Sequence, residues 1–424
     1  MAIVDVVVVG AGQAGLGVSY YLQRAGLDHV VFERGRIGEA WLSQRWDSFR
    51  LNTPNEMNGL PGLPYDGADA EGFASPVEFA GFMRRYVDRF GLPVQTGVQV
   101  VSVGPAEPAD QFVVRTVRTE LPRDAVHARA IVVASGFQCR PVIPAIGDRI
   151  PGDICQLHAA SYRRAVALPP GAVVIAGSGQ TGCQIAEDLL AAGRKVYLCS
   201  SRVGRARRRY RGRDTTGWMR DIGLFDMTYA SLPDKTASRE KQPQVSGLGP
   251  RGHTVSLQQL ARQGAVILGR LQDVAADTLG LGDDAASNVR FADQFSQQLK
   301  DTIDAHLVRA GLALPPLEDD RADAPDPEAA CASPIRSLSL REARVSTVIW
   351  ATGFRSDLGW VHLPAFGVEG DPVHQEGISP VRGLYFIGAP WLRKAKSGII
   401  AGIEEDAEFI ARAVVTQLAA DASS

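Results

Sequence analysis

The chain has 424 residues, 45 Lys+Arg against 47 Asp+Glu and 45% hydrophobic residues, enough for two or three domains with cores of their own. A formal charge of −2 excludes general nucleic-acid binding, which needs a basic face to displace counterions. No stretch approaches the roughly 18 to 20 uncharged apolar residues of a membrane span, and five cysteines (139, 155, 183, 199, 331) without a C-x-x-C pair suit a reducing, cytoplasmic location with no disulfide and no metal site.

In chain order, residues 3 to 9 (IVDVVVV) are β-branched and nearly continuously apolar, as in a parallel strand buried on both faces. A glycine turn, a helix from about Gln13 to Ala25 and a short strand, 29-HVVFE-33, complete a βαβ unit. The run 75-SPVEFAGFMRRYVDRFG-91 opens with a capping box, Ser75 to Glu78, and stops at Gly91, which reads as a core helix. Strands near 98 to 103, 112 to 117 and 127 to 133 suggest a small antiparallel addition.

The βαβ order returns at 172-AVVIAGSGQTGCQIAEDLLAAGRKVYLCS-200, offset by 167 residues. A second echo links 131-IVVASGF-137 with 348-VIWATGF-354, each expected to close on its own module. Phe291, Phe295, Leu299, Ile303 and Leu307 recur at helical spacing and are read as packing. The Pro/Asp-rich stretch 313 to 337 reads as a mobile surface excursion.

Gly10-Ala11-Gly12-Gln13-Ala14-Gly15 follows a strand and opens a helix, and Glu33 ends the next strand 23 residues after Gly10, the full context of a dinucleotide fingerprint. Its glycines let a pyrophosphate approach the helix N-terminus, and Glu33 can accept from ribose hydroxyls. Either NAD or FAD would fit, and the extreme N-terminal position with a second module downstream favours FAD. The stretch 383-GLYFIGAPWLRKAKSGIIAGIEEDAEFIA-411 adds a helix beginning near Ser397, Gly398 and Ile399, whose dipole could meet the pyrimidine edge of a flavin.

In the second fingerprint, Gly177-Ser178-Gly179-Gln180-Thr181-Gly182, the same 23-residue offset lands on Ser200 instead of an acid. Ser201 and Arg202 follow, a hydroxyl and a guanidinium suited to a 2′-phosphate, so this module is expected to take NADPH. Arg202 opens a run of seven arginines in twelve residues, ending at Arg213. One of Arg207 to Arg209 is a candidate second phosphate contact; the others are expected on the surface or paired with Asp214 and Asp221. Residues 215 to 229 either line a substrate entrance or pack.

With these motifs in this order, the chain resembles the two-dinucleotide-domain class B flavoprotein monooxygenases. The nearest branch is CzcO-like, akin to flavin-containing and plant indole-3-pyruvate monooxygenases. The resemblance implies an α/β fold of two Rossmann-like domains: a discontinuous FAD domain (1 to 150 and 345 to 424), with an NADPH domain (151 to 344) inserted. It implies that 38-GEAWLSQRWDSFRLNTP-54 lies along the flavin, with Arg34, Trp41 and Arg45 as cofactor contacts and Asn52 as the catalytic polar residue beside its reactive C4a and N5 edge. Thr352 and Gly353 join the cofactor set through the A-T-G-F motif. The implied reaction inserts one O2-derived oxygen into a small organic substrate through a C4a-(hydro)peroxyflavin.

Departures narrow the branch. Ile150 replaces the Phe of the F-x-G-x-x-x-H fingerprint, five residues separate Gly152 from His158, and Tyr162 stands where Baeyer–Villiger enzymes carry Trp. Ser346 and Phe354 disfavour the N-hydroxylase branch, and His158 is expected to organise the interdomain linker. Rival readings are a disulfide reductase, which needs a redox cysteine pair, an NADPH oxidase or quinone reductase, and a non-catalytic redox sensor or transport regulator. Substrate and oligomeric state stay open between a monomer and a homodimer.

Overall fold

The computed structural model describes residues 3–107, 111–118, 121–236, 242–326 and 334–422. Ile3–Val9 is the central strand of the first sheet, with His29–Glu33 and then Val94–Thr96 on one side and Leu121–Val133 on the other. Leu384–Phe386 runs parallel beside Ile131–Val133. The apolar run is buried because it is covered on both faces: Val6, Val7 and Val8 are 0% exposed. The antiparallel strands Val98–Pro105 and Phe112–Arg118 continue from this sheet. Leu121–Val133 is longer than the spacing suggests, since residues 121 to 128 pair antiparallel with the hairpin before residues 127 to 133 pair parallel with Ile3–Val9. The addition is therefore an extension of the main sheet.

A second sheet is parallel throughout, in the order Val266–Leu268, Val196–Cys199, Ala172–Ala176, Val345–Trp350, Cys155–His158. Val345–Trp350 runs parallel beside Ala172–Ala176, with a register shift between Val345 and Thr347, so this strand joins the second sheet. Each A-S/T-G-F strand thus does close on its own module.

Backbone proximity gives the physical reason for that echo. A Cβ on Gly10 would stand 2.6 Å from the Ala134 carbonyl oxygen, and one on Gly177 would stand 2.6 Å from that of Ala351. Gly15 lies over the Gly10 carbonyl and Gly182 over the Gly177 carbonyl, each with room for no side chain, since an added Cβ would be 1.9 Å away. The same turn has been built twice.

Two crossings connect the units and lie side by side. Arg140–Pro141 on the outward crossing pairs antiparallel with Phe354–Arg355 on the return. The His158 ring accepts from Ala160 N at Nδ1 (3.1 Å), and its Nε2 donates to the Gly353 carbonyl (3.0 Å). His158 therefore does organise the linker, and burial lowers its pKa, keeping it neutral.

Pro76–Phe90 forms with its capping box complete and Gly91 in the left-handed conformation. In Ala285–Arg309, Leu299, Ile303 and Leu307 are buried, but Phe291 and Phe295 are only half-buried. Among the described residues no helix is long and apolar enough to cross a membrane, and no cluster of His, Cys, Asp or Glu is placed to hold a metal.

The paired glycine turns separate packing from binding. Gly182→Ala is expected to cost about 1–3 kcal/mol or more through overpacking, read as a fall in the urea midpoint. Gly179→Ala, whose Cβ would meet nothing within 4 Å, is expected to leave the midpoint unchanged.

Candidate active site

The helices Gln13–Arg24 and Gln180–Ala191 begin at Gly12 and Gly179 without a side-chain cap or an acidic residue in the first turn. Their first amides are therefore open to an anion, and a Cβ at either cap glycine would enter empty space. Beside the first turn, Gly10, Glu33, Arg34, Ser135, Cys139 and Asp357 line a cleft. Glu33 holds the loop, accepting from Ala11 N (2.9 Å) and Gly35 N (2.8 Å). Each oxygen of the carboxylate keeps a further lone pair for a ribose hydroxyl.

The residues singled out around Trp41 converge. Trp41 Nε1 donates to Gln13 Oε1 (3.2 Å), and the Arg45 guanidinium lies 5.2 Å from the Trp41 ring centroid and 5.4 Å from that of Phe49. Arg45 donates to Gln138 Oε1 (2.8 Å) and to the Gln44 carbonyl, with no carboxylate partner among the described residues. Desolvation lowers its pKa to about 10. The C-terminal loop closes over the same turn, where a Cβ on Gly388 would stand 3.1 Å from that of Ala14.

Ser397 Oγ accepts from Arg393 N (3.2 Å) and Lys394 N (3.1 Å), and Gly398 at φ +85° packs on the Ala389–Pro390 backbone. Ile399 caps a 3₁₀ turn, Ile400–Gly402, that leads into the helix Ile403–Ala422, so regular α-helix starts later than the spacing suggests. Phe225 to Tyr229 bonds to Arg393 to Lys396 through backbone groups, which places this part of the 215 to 229 segment against the loop before Ser397.

The second turn is held by side-chain hydrogen bonds. Ser200 occupies the place of Glu33, since Gly10 N bonds Phe32 O and Gly177 N bonds Cys199 O. Its hydroxyl donates to the Leu268 carbonyl (2.7 Å) and receives Asn288 Nδ2 (3.1 Å). Ser178, fully buried, receives Ser201 N at 2.9 Å. The Gln180 side chain is committed to the 245–246 backbone, accepting from Val245 N (2.7 Å) and donating to Ser246 O (2.5 Å). Thr181 is half-buried in the same turn. Thr352 and Gly353 lie in the tie between the crossings, with Thr352 Oγ1 donating to Val142 O (2.5 Å). Both are exposed and directly follow Ala351, whose carbonyl faces Gly177.

The arginine run divides sharply. Arg205 is 1% exposed, held by Asp293 (2.5 Å) and Asp323; Arg207 meets Glu318 (3.6 Å) and Asp320 (3.5 Å); Arg208 meets Asp214. Arg209 meets Glu71 (3.1 Å), Arg211 meets Asp304 (2.5 Å) and Arg213 meets Asp221 (2.5 Å). Arg207 to Arg209 each face a carboxylate, Arg207 and Arg208 while buried and Arg209 in an exposed pair. Arg202 is exposed, makes no ion pair among the described residues, and stacks 4.2 Å from the Phe291 ring centroid. Phe291, read from spacing as packing, is therefore the platform for the one arginine of the run that has no acidic partner among the described residues.

Much of the opposing charge comes from Glu318, Asp320 and Asp323, within the stretch expected to be a mobile excursion. Through residue 326 it is instead tied down, and residues 327–333, including Cys331, fall outside the described part. Charge matching between this acidic stretch and the arginine run was the available sequence signal. Asn52 meets the second unit directly: Gln184 Nε2 donates to its Oδ1 (3.3 Å) and Arg208 Nη1 to its carbonyl (3.0 Å). Neither partner is marked by a motif, although Gln184 is a buried amide one turn after Gln180 on the same helix face.

A family model described as pyridine nucleotide-disulphide oxidoreductase matches residues 7–218, and the chain belongs to that family, with the sequence and fold of a class B flavin monooxygenase-like protein. Among particular relatives, it is 28% identical over 411 residues to the uncharacterized oxidoreductase CzcO of Bacillus subtilis, covering 96% of this chain and 98% of that protein. Its fold matches a flavin-containing monooxygenase from Stenotrophomonas maltophilia, with a TM-score of 0.64, 19% identity and coverage of 98% and 99% of the two chains. It also matches the bacillithiol disulfide reductase of Bacillus cereus, with a TM-score of 0.62, 14% identity and coverage of 98% and 100%. The shared fold alone does not choose between these reactions.

The Asp323 carboxyl tests the arginine network. Burial alone would raise its pKa, but Arg205 and Lys300 hold it below the ordinary value. Its contribution is therefore complete above the unfolded pKa of about 4 and is lost as pH falls through the lower folded value. Asp323→Ala is expected to lower unfolding free energy at pH 7 by about 3 kcal/mol, the low end for breaking a buried pair because Asp293 still faces Arg205. Urea titrations at pH 7 and pH 3 check this, the difference between variant and parent shrinking at the lower pH.

Proposed function

We propose that the protein is an FAD- and NADPH-dependent monooxygenase acting on a small organic substrate in the cytoplasm: NADPH + H⁺ + O2 + S gives NADP⁺ + H2O + SO. The observation that carries this reading is the contrast between two equivalent turns, one ending in Glu33 and the other in Ser200 followed by Arg202, which lies on Phe291 and has no acidic partner among the described residues. Glu33 suits the ribose hydroxyls of FAD and would repel a 2′-phosphate; Arg202 and the Ser201 hydroxyl suit that phosphate.

The open amides at Gly12 and Gly179, and the empty space beside both glycines, fit two pyrophosphates. FAD, when bound, supplies the hydride acceptor and the reaction with O2. The protein's part is to hold and to shield. Trp41, Gln13 and Arg45 form one face beside the first turn, and Arg45 is the cation available to a cofactor oxygen. Ser397 orders the loop carrying Gly398 and Ile399 ahead of the final helix. Asn52 brings an amide to the boundary between the units, where Gln184 and Arg208 of the second unit hold it.

Thiol chemistry has little support among the described cysteines, all four of which are free. Cys183 and Cys199 are buried, which pushes the Cys199 pKa up to about 12 and that of Cys183 further, so neither offers a thiolate at neutral pH.

Arg202→Ala is expected to reduce the preference for NADPH over NADH by about 10- to 100-fold, matching the roughly 1.5–3 kcal/mol of a charged hydrogen bond. Steady-state kcat/KM with each nucleotide measures it, and an unchanged ratio would remove the 2′-phosphate assignment. Asn52→Ala is expected to keep NADPH oxidation while diverting it to hydrogen peroxide. Anaerobic NADPH should bleach the yellow purified protein; a flavin that stays oxidised rules out the enzyme reading.

A further inference from the structure

We propose that Arg208 and Gln184, both from the second unit, are positioning residues that fix Asn52, so that the nucleotide-binding unit sets the geometry of the candidate catalytic amide. The inference rests on reading Asn52 as that amide. Arg208 is 2% exposed, and each face of its guanidinium environment is defined. Nη1 donates to the Asn52 carbonyl at 3.0 Å, Nη2 to the Asp214 carboxylate, and the plane lies 4.7 Å from the Phe73 ring centroid. Asp214 is itself fixed, receiving Thr216 N (2.9 Å) and Thr216 Oγ1 (2.5 Å). Nε makes no hydrogen bond among the described residues, so the buried charge is met through Nη1 and Nη2, and the Asn52 carbonyl is the acceptor at Nη1.

Gln184 fixes the side chain. It is fully buried, and its Nε2 donates to Ser246 O (3.0 Å) and Asn52 Oδ1 (3.3 Å). With Oδ1 occupied, the Asn52 amide is oriented so that Nδ2 is its remaining donor. The same Ser246 carbonyl receives Gln180 Nε2 (2.5 Å) from the first turn of the second fingerprint helix. Gln180, Ser246, Gln184 and Asn52 therefore form one hydrogen-bonded path from the second glycine turn to the first unit.

The test uses Gln184→Ala and the paired change Arg208→Met with Asp214→Asn, which removes both charges so that neither is left buried alone. Arg209→Ala, on a half-exposed arginine paired with Glu71, is the control. The chain has four asparagines, at 52, 55, 58 and 288, so ¹⁵N-asparagine labelling gives four side-chain amide pairs to follow in the full-length protein. In both test variants the Asn52 pair should shift while the Asn288 pair holds.

Hydrogen peroxide released per NADPH oxidised should rise about tenfold, the factor that about 1.4 kcal/mol of lost positioning represents, with KM for NADPH within about twofold of wild type. An unmoved Asn52 signal overturns the inference, as does a wild-type peroxide yield in these variants when Asn52→Ala raises it. If Asn52→Ala itself leaves the yield unchanged, the assignment of Asn52 to the reaction fails, and the amide spectrum alone decides whether Arg208 and Gln184 hold it.

Discussion

A guanidinium taken out of water must meet a counter-charge, and this requirement organises the second unit. Arg205 and Arg208 are among the largest fully buried side chains in the protein. Each would be strongly destabilising alone, and each is met by carboxylates delivered from different places: Asp293 from a long helix, Asp323 from an acidic surface stretch, Asp214 from the cap of a short helix. Satisfying these charges pins the acidic stretch to the body, holds the segment after the second glycine turn, and leaves Arg202 as the run's one cation without an acidic partner among the described residues. A neutral overall charge thus coexists with a strongly basic run because the acids that answer it are internal to the fold.

The two glycine turns show how much of this could be read directly. Gly10, Gly15, Gly177 and Gly182 are dictated by backbone contacts that leave no space for a side chain, so their spacing reports local geometry, and the strands and helices around them follow the reading closely. The echo of Ala-Ser-Gly-Phe in Ala-Thr-Gly-Phe was legible for the same reason, since Ala134 and Ala351 supply the carbonyls against which the first glycines pack. Local rules of period, cap and turn carry far when the contact is close in space and repeated in the chain.

What was not legible depends on pairs distant in sequence. The partners of Arg205 and Arg207 in the acidic stretch lie more than a hundred residues away, and a Pro/Asp-rich composition that signals a loose surface stretch conceals three carboxylates with fixed roles. The hold on Asn52 comes from a helix 132 residues on and a strand-flanking arginine 156 residues on, neither with a motif of its own. The sheet to which residues 345 to 350 belong was hidden for the same reason: a strand just before a returning crossing joins whichever sheet it pairs with, and here its neighbour Ala172–Ala176 lies far back in the chain.

The side-by-side crossings have a mechanical meaning. Two strands of chain joined by the pairing of Arg140–Pro141 with Phe354–Arg355, and pinned by His158 on the Gly353 carbonyl, resist twisting far more than a single linker would. The tie does not act alone, because apolar side chains of both units, Val8 and Ile175 among them, belong to one continuous core, and Ser48 donates to Asp188 (2.6 Å) across the boundary. The double crossing works as a splint laid along that core, so the position of one glycine turn relative to the other is set twice, once by the chain and once by packing.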